Sequence, residues 1–146
     1  MDGIEHYARA KLLKLAESLL WTPYMWAGDD PSGFDCSGFV IELLKSIGCL
    51  GYSGDWTAEQ LFAKFQYTTT PESGDLIFWM NNSGNIVHVE VVYSSTLKLS
   101  IGAAGGGSST LDEEDAWEHN AYIRIRPYDG RGREIAGFLN PYKELW

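Results

Sequence analysis

The chain has 146 residues, 45% of them hydrophobic and 14% aromatic, with 2 Cys and a formal net charge of −9 from 11 Lys+Arg against 20 Asp+Glu. That length predicts a single domain, residues 1–146, large enough to bury a core without disulfides or a structural metal. Between Leu15 and Tyr122 the only basic side chains apart from histidine are Lys45, Lys64 and Lys98, against fifteen acids; this excludes a phosphate-tracking nucleic-acid binder and a polybasic membrane-surface segment.

Apolar residues at Ile4, Tyr7, Ala8, Leu12, Leu15, Ala16 and Leu19 form the stripe of an amphipathic helix, stopped by Thr22-Pro23. Residues 21–34, with Trp21, Tyr24 and Trp26 followed by Gly28, Pro31 and Gly33, read as an ordered irregular loop. Asp35 opens a second helix whose apolar positions are Phe39, Val40, Leu43, Leu44 and Ile47, with Gly48 as its stop. A third short helix is predicted from Thr57 to Phe65, capped by Asp55 or Thr57. After Pro71 the period changes to two. Strands are predicted at Asp75–Met80, Ile86–Tyr93, Leu97–Ala103 and Tyr122–Arg126, with turns at 81–85 and at Ser94-Ser95. Helices followed by antiparallel strands define an α+β domain. No apolar run approaches the roughly 20 residues of a membrane span, so no membrane insertion is expected, and no signal peptide is visible.

The segment Phe34-Asp35-Cys36-Ser37-Gly38-Phe39-Val40 carries the first chemical signal. With Asp35 as cap, Cys36 lies in the first turn of a helix, where unpaired N–H groups and the peptide dipoles favour a thiolate. A buried, inert cysteine remains the alternative. A nucleophilic thiol needs a base, and the chain has 3 His. His88 and Glu90 share one face of the strand Val87-His88-Val89-Glu90-Val91, either as a chemical pair or as the wet face of an edge strand. His6 falls on the exposed side of the first helix, and His119 reads as a surface residue that stays open as a base.

Four ordered blocks, Tyr24-Met25-Trp26-Ala27-Gly28, Phe34 to Val40, Ser73-Gly74-Asp75-Leu76-Ile77-Phe78-Trp79 and His88-Val89-Glu90-Val91-Val92, resemble the motifs of the NlpC-type peptidoglycan cysteine peptidases. The resemblance covers roughly residues 4 to 126. It implies a papain-like fold in which helices, one with the nucleophile at its N-terminus, pack on an antiparallel sheet that supplies the histidine. It also implies cleavage of amide bonds in bacterial cell-wall stem peptides. Carried over by position, Cys36 is the nucleophile, His88 the general base and Tyr24 the hydrogen-bonding group beside them. Asp35, Ser37, Trp26 and Glu90 fall to substrate binding, Asp35 also keeping its reading as cap. The backbone N–H of Cys36 is the natural oxyanion donor.

Two positions depart from the family pattern. On the strand after the base the family usually carries a polar side chain, commonly His, where this chain has Gly102 in Leu99-Ser100-Ile101-Gly102-Ala103-Ala104. Read this way the triad is incomplete, leaving a carbonyl, a water, Ser100 or the following Gly-rich loop to hold the imidazole. A missing orienter would lower the rate without abolishing it. Glu90 stands where the family often has Gly; a carboxylate there either raises the basicity of His88 or binds a cationic group of the substrate.

The loop from Gly102 to Gly107 lacks the Gly-Lys-Ser/Thr ending of a phosphate loop, and His88-Val89-Glu90 has no Cys-x-x-Cys to complete a deaminase zinc site. No catalytic metal and no cofactor are therefore expected. Cys49 lies about 20 Å beyond Cys36 along a continuous helix, too far for a disulfide. Arginines 124, 126, 131 and 133 read as a solvated C-terminal surface. The expectation is a thiol endopeptidase that is secreted, cell-wall-acting or carried on a phage particle, with a delivery partner or phage-tail component unidentified. The alternatives are an amidase or transpeptidase using the same thiol, or a module that binds wall peptides with impaired catalysis because of Gly102.

Overall fold

A computed structural model describes residues 3–23, 29–30, 33–51, 56–104 and 122–145. The elements run α1 (Gly3–Ser18), β1 (Asp29–Asp30), β2 (Gly33–Phe34), α2 (Cys36–Ser46), α3 (Ala58–Lys64), β3 (Gln66–Thr68), β4 (Leu76–Met80), β5 (Ile86–Ser94), β6 (Leu99–Ala104), β7 (Tyr122–Pro127) and β8 (Glu134–Asn140), closed by a 3-10 turn, Pro141–Leu145. Within the stretch read as irregular loop, β1 and β2 form a two-stranded antiparallel pair. The other six strands make one antiparallel sheet in the order β3-β8-β4-β5-β6-β7.

The predicted helices and strands are present, with ends shifted by a residue or two. Asp35 caps α2 with its side chain, accepting from the Gly38 N–H at 2.6 Å. Gly48, at φ +84, ends it in the left-handed conformation that glycine adopts at little cost. Thr57 rather than Asp55 caps α3, in a reciprocal capping box with Gln60. The unpredicted strand β8 sits inside the sheet, between β3 and β4, instead of at its edge.

The sheet has two buried faces. Leu76 and Phe78 of β4, Val89 and Val91 of β5, Ile101 and Ala103 of β6, Ile123 and Leu139 join Leu12, Phe39, Val40, Leu43, Leu44 and Leu61 of the helices in the main core. The opposite face carries a smaller cluster of Ile77, Trp79, Val92 and Tyr128. His88 pairs with Trp79 and Glu90 with Ile77 across β4 and β5, so both polar residues belong to this second face. The α1 stripe is turned from its predicted orientation. Ile4 and Tyr7 are exposed, while Glu5 and Arg9 are buried beside Ala8, Leu12 and Ala16. The cause is a counter-charge on another element: Asp75 lies 2.9 Å from Arg9 Nη1, and a buried charge is tolerated once it is paired.

Candidate active site

Cys36 is the first residue of α2, directly after its cap. Its N–H belongs to the first turn, whose amides have no carbonyl partner within the helix. Ser37 Oγ donates to Asp35 Oδ1 at 3.4 Å, so Asp35 and Ser37 are joined at the helix head beside the thiol. The cap reading of Asp35 is therefore realised in the geometry.

His88 lies near the start of β5, opposite Trp79, whose ring centroid is 5.2 Å away at 47°. The register of β4 slips between Trp79 and Met80 against β5 and between Phe78 and Trp79 against β8. Such bulges bend a strand and re-aim its side chains, and these two flank Trp79, the residue opposite His88. A hydrogen bond between His88 Nε2 and Glu90 Oε2, 2.6 Å long, holds the imidazole, and the Cys36 thiol and the Glu90 carboxylate both act to raise the basicity of the ring.

Glu90 has no exposed surface. Its Oε2 also accepts from Arg131 Nη1 at 2.9 Å and from Arg126 Nη2 at 3.1 Å, and its Oε1 from Ser100 Oγ at 2.7 Å. Arg131 donates from Nη2 to Ser100 Oγ at 2.8 Å and lies over the Trp79 ring, 4.7 Å from its centroid. Burial alone would keep His88 neutral, but the thiol and the carboxylate outweigh it and raise its pKa from 6.5 to about 9. Burial would likewise protonate Glu90, yet its hydrogen bond with His88 and the charges of His88 and Arg131 lower its pKa to about 2.

Three expectations are corrected by this arrangement. Glu90 has no surface with which to meet a substrate amine; its carboxylate is turned inward and is fully engaged. Ser100 and Gly102 do not hold the imidazole: Ser100 gives its proton to Glu90, and the space above Gly102 is filled by the Glu90 side chain. Arg126 and Arg131 are not a solvated surface, because both turn back onto Glu90. The signal for them was the alternation of 122–126, which puts Arg124 and Arg126 on one face of β7. What that face would meet depends on β6, where Gly102 pairs with Arg124 and Ser100 with Arg126. Tyr24, Trp26 and His119 lie outside the described residues. His6 is exposed on α1 and Cys49 is buried, and neither Cys36 nor Cys49 is in a disulfide.

A cysteine at the head of a capped helix, facing a histidine from an antiparallel sheet, makes this a papain-like α+β domain. Residues 21–125 match the NlpC/P60 family, and the chain belongs to it. LytE of Bacillus subtilis strain 168, a probable peptidoglycan endopeptidase, is 30% identical over 106 residues, which is 70% of this chain and 30% of LytE. The gamma-D-glutamyl-L-lysine dipeptidyl-peptidase of Bacillus cereus ATCC 10987 is 33% identical over 85 residues, 56% of this chain and 25% of that enzyme. The chain thus spans under a third of the length of either relative. The crystal structure of the NlpC/p60 domain of the peptidoglycan hydrolase SagA shares the fold, with a TM-score of 0.64 at 23% identity over 90% of this chain and 97% of that domain.

Proposed function

We propose that this chain is a cysteine endopeptidase that hydrolyses amide bonds in bacterial cell-wall stem peptides, acting at the wall, outside the cell membrane. The observation that carries the reading is the placement of Cys36 at the capped N-terminus of α2 together with an imidazole that is held by a buried carboxylate and whose basicity the thiol helps to raise. The names of LytE and of the Bacillus cereus dipeptidyl-peptidase supply the substrate class.

In this mechanism His88, its basicity raised by the thiol and the Glu90 carboxylate, takes the proton of the Cys36 thiol. The thiolate sulfur attacks the carbonyl carbon, and the carbonyl oxygen takes up negative charge beside the Cys36 N–H and the positive end of α2. As the tetrahedral intermediate collapses, the C–N bond breaks and the imidazolium gives its proton to the departing amine. Water, deprotonated by the now neutral His88, then cleaves the thioester, releasing the carboxylic acid and restoring the thiol. Tyr24, Trp26, Asp35 and Ser37 keep the substrate-side roles that the family resemblance assigns them.

The test is digestion of purified peptidoglycan or synthetic stem peptides by the wild-type chain and by Cys36→Ala. Fragment release should fall by at least about a thousandfold in the variant while its melting temperature stays close to that of wild type. Equal release by the two proteins overturns the reading.

A further inference from the structure

We infer that Glu90 is the positioning residue of His88, and that position 102 is glycine because the Glu90 side chain occupies the space a residue there would fill. The inference deepens the peptidase reading and rests on its Cys36–His88 pair. The two positions are neighbours on the second face of the sheet, since Val91 pairs with Ile101 and Val92 with Ser100. A Cβ at Gly102 would overlap Glu90 Cγ and come within 2.8 Å of Cδ and 2.9 Å of Cβ. Gly102 is not among the glycines with positive φ, so space, and not backbone conformation, demands it. A side chain on 102 and a carboxylate at 90 therefore exclude one another. What looks like a missing orienter on β6 is the vacancy that admits an orienter from β5.

The surrounding charges show why this carboxylate does more than fill space. The groups facing it are His88 on its own strand, Ser100 on β6, Arg126 with Arg124 behind it on β7, Arg131 from the turn before β8, the Trp79 ring on β4, and, through His88, Cys36 on α2. Of the groups bonded to it only His88 exchanges a proton near neutral pH. Two guanidiniums beside an imidazolium repel it, and Glu90 is the anion that reverses the sign of that field. Removing the charge while keeping the shape would leave His88 facing two arginines with nothing to hold its proton. Ser100 cannot substitute, because its proton is spent on Glu90 and it accepts from Arg131.

The experiment follows alkylation of Cys36 by iodoacetamide, located by mass spectrometry, across pH 5 to 10 in the full chain, with no substrate present. In Glu90→Gln the rate at pH 7 should fall at least tenfold and the whole profile should move to higher pH by more than one unit. Gly102→Ala, which pushes the carboxylate aside, should move it the same way. A wild-type profile in either variant, with a wild-type melting curve, overturns the inference. Should both variants fail to fold, NMR titration of the wild-type His88 ring decides. An imidazole still charged at pH 8 upholds the inference, and one neutral by pH 7 overturns it. Because these measurements use no peptide, a chain that cleaves no wall fragment can still pass them, so the two failures are distinguishable.

Discussion

Among the described residues two buried ion clusters stand out, and they answer burial with opposite signs. Around Arg9, α1 is tied to the start of β4 and to the closing turn. Arg9 meets Asp75 at 2.9 Å and Glu5 at 3.3 Å, donates to the Ser73 carbonyl at 3.2 Å, and stacks on the Tyr142 ring 4.5 Å from its centroid. There burial raises the pKa of Asp75, outweighing the Glu72 N–H and Arg9 that oppose it. Around Glu90, one carboxylate has an imidazole, two guanidiniums and a hydroxyl, and its pKa is lowered. Both carboxylates are nearly sealed from water; the number of donors reaching each decides which way it moves. The first cluster holds no histidine and works as a tether. The second holds His88, and through it the Glu90 carboxylate acts on a nucleophile.

The largest way to break the comparison is Arg9→Ala. It takes the guanidinium away from buried Asp75 and Glu5, leaving Asp75 the Glu72 N–H and Glu5 the Lys143 ammonium, and should lower the unfolding free energy by about 3 kcal/mol, read by urea denaturation. The pH profile of Cys36 alkylation in the folded fraction should not move, since no contact of Arg9 reaches β5 beyond the turn at its end. A shifted profile would mean that the two clusters are coupled.

Alkaline titration separates them next. The folded-state pKa of His88, about 9, lies above its ordinary 6.5. Its contribution to stability is therefore complete below about pH 6.5 and is lost as the pH rises through about 9. Glu90, lowered from 4.5 to about 2, behaves in the opposite sense, giving stability above about pH 4.5 that is lost as the pH falls toward 2. Asp75, raised from 3.8, costs stability as it ionises above that value. His88 titrates within the window from pH 6.5 to 9, so wild type should lose stability over it and His88→Gln should lose markedly less. Equal slopes in urea denaturation would place the alkaline loss elsewhere in the molecule.

Much of the site was legible because its signals are local. The Asp35 cap, the period of Phe39 to Leu44 and the alternation of 86–93 each act within a few residues, and they put Cys36 at a helix head and His88 with Glu90 on one strand face. Whether that face was wet or sealed depended on Arg126 and Arg131, about forty residues away in the chain, and on β6 between them. Gly102 was read as an absence because a sequence shows the missing side chain and not the neighbour that replaces it. The orientation of α1 failed for a similar reason: an apolar stripe assumes that charges face water, and Asp75 overrides it from another element. The strand Glu134–Asn140 contains Gly137 and alternates weakly. Its central place comes from pairing on both sides, with β3 and β4, which no local pattern reveals.

A matched pair of hydroxyl deletions sharpens the contrast at its smallest scale. Tyr142 Oη donates to the Gly74 carbonyl at 2.6 Å in the tether, and Ser100 Oγ donates to Glu90 at 2.7 Å in the site. Each substitution, Tyr142→Phe or Ser100→Ala, removes one buried hydrogen-bonding hydroxyl and keeps most of the packing, so each should cost about 1–2 kcal/mol in thermal or urea unfolding. The phenylalanine ring still lies under Arg9, and nothing in that cluster passes a proton, so the His88 titration should be that of wild type. At Ser100 the carboxylate loses a donor and with it some of the stabilisation of its own charge, which leaves more of its electron density for the imidazolium. The NMR titration of His88 should therefore move to higher pH in Ser100→Ala alone. Two substitutions of similar energetic size would then differ in a single respect, whether the lost hydroxyl stood behind a group that holds a proton for the thiol.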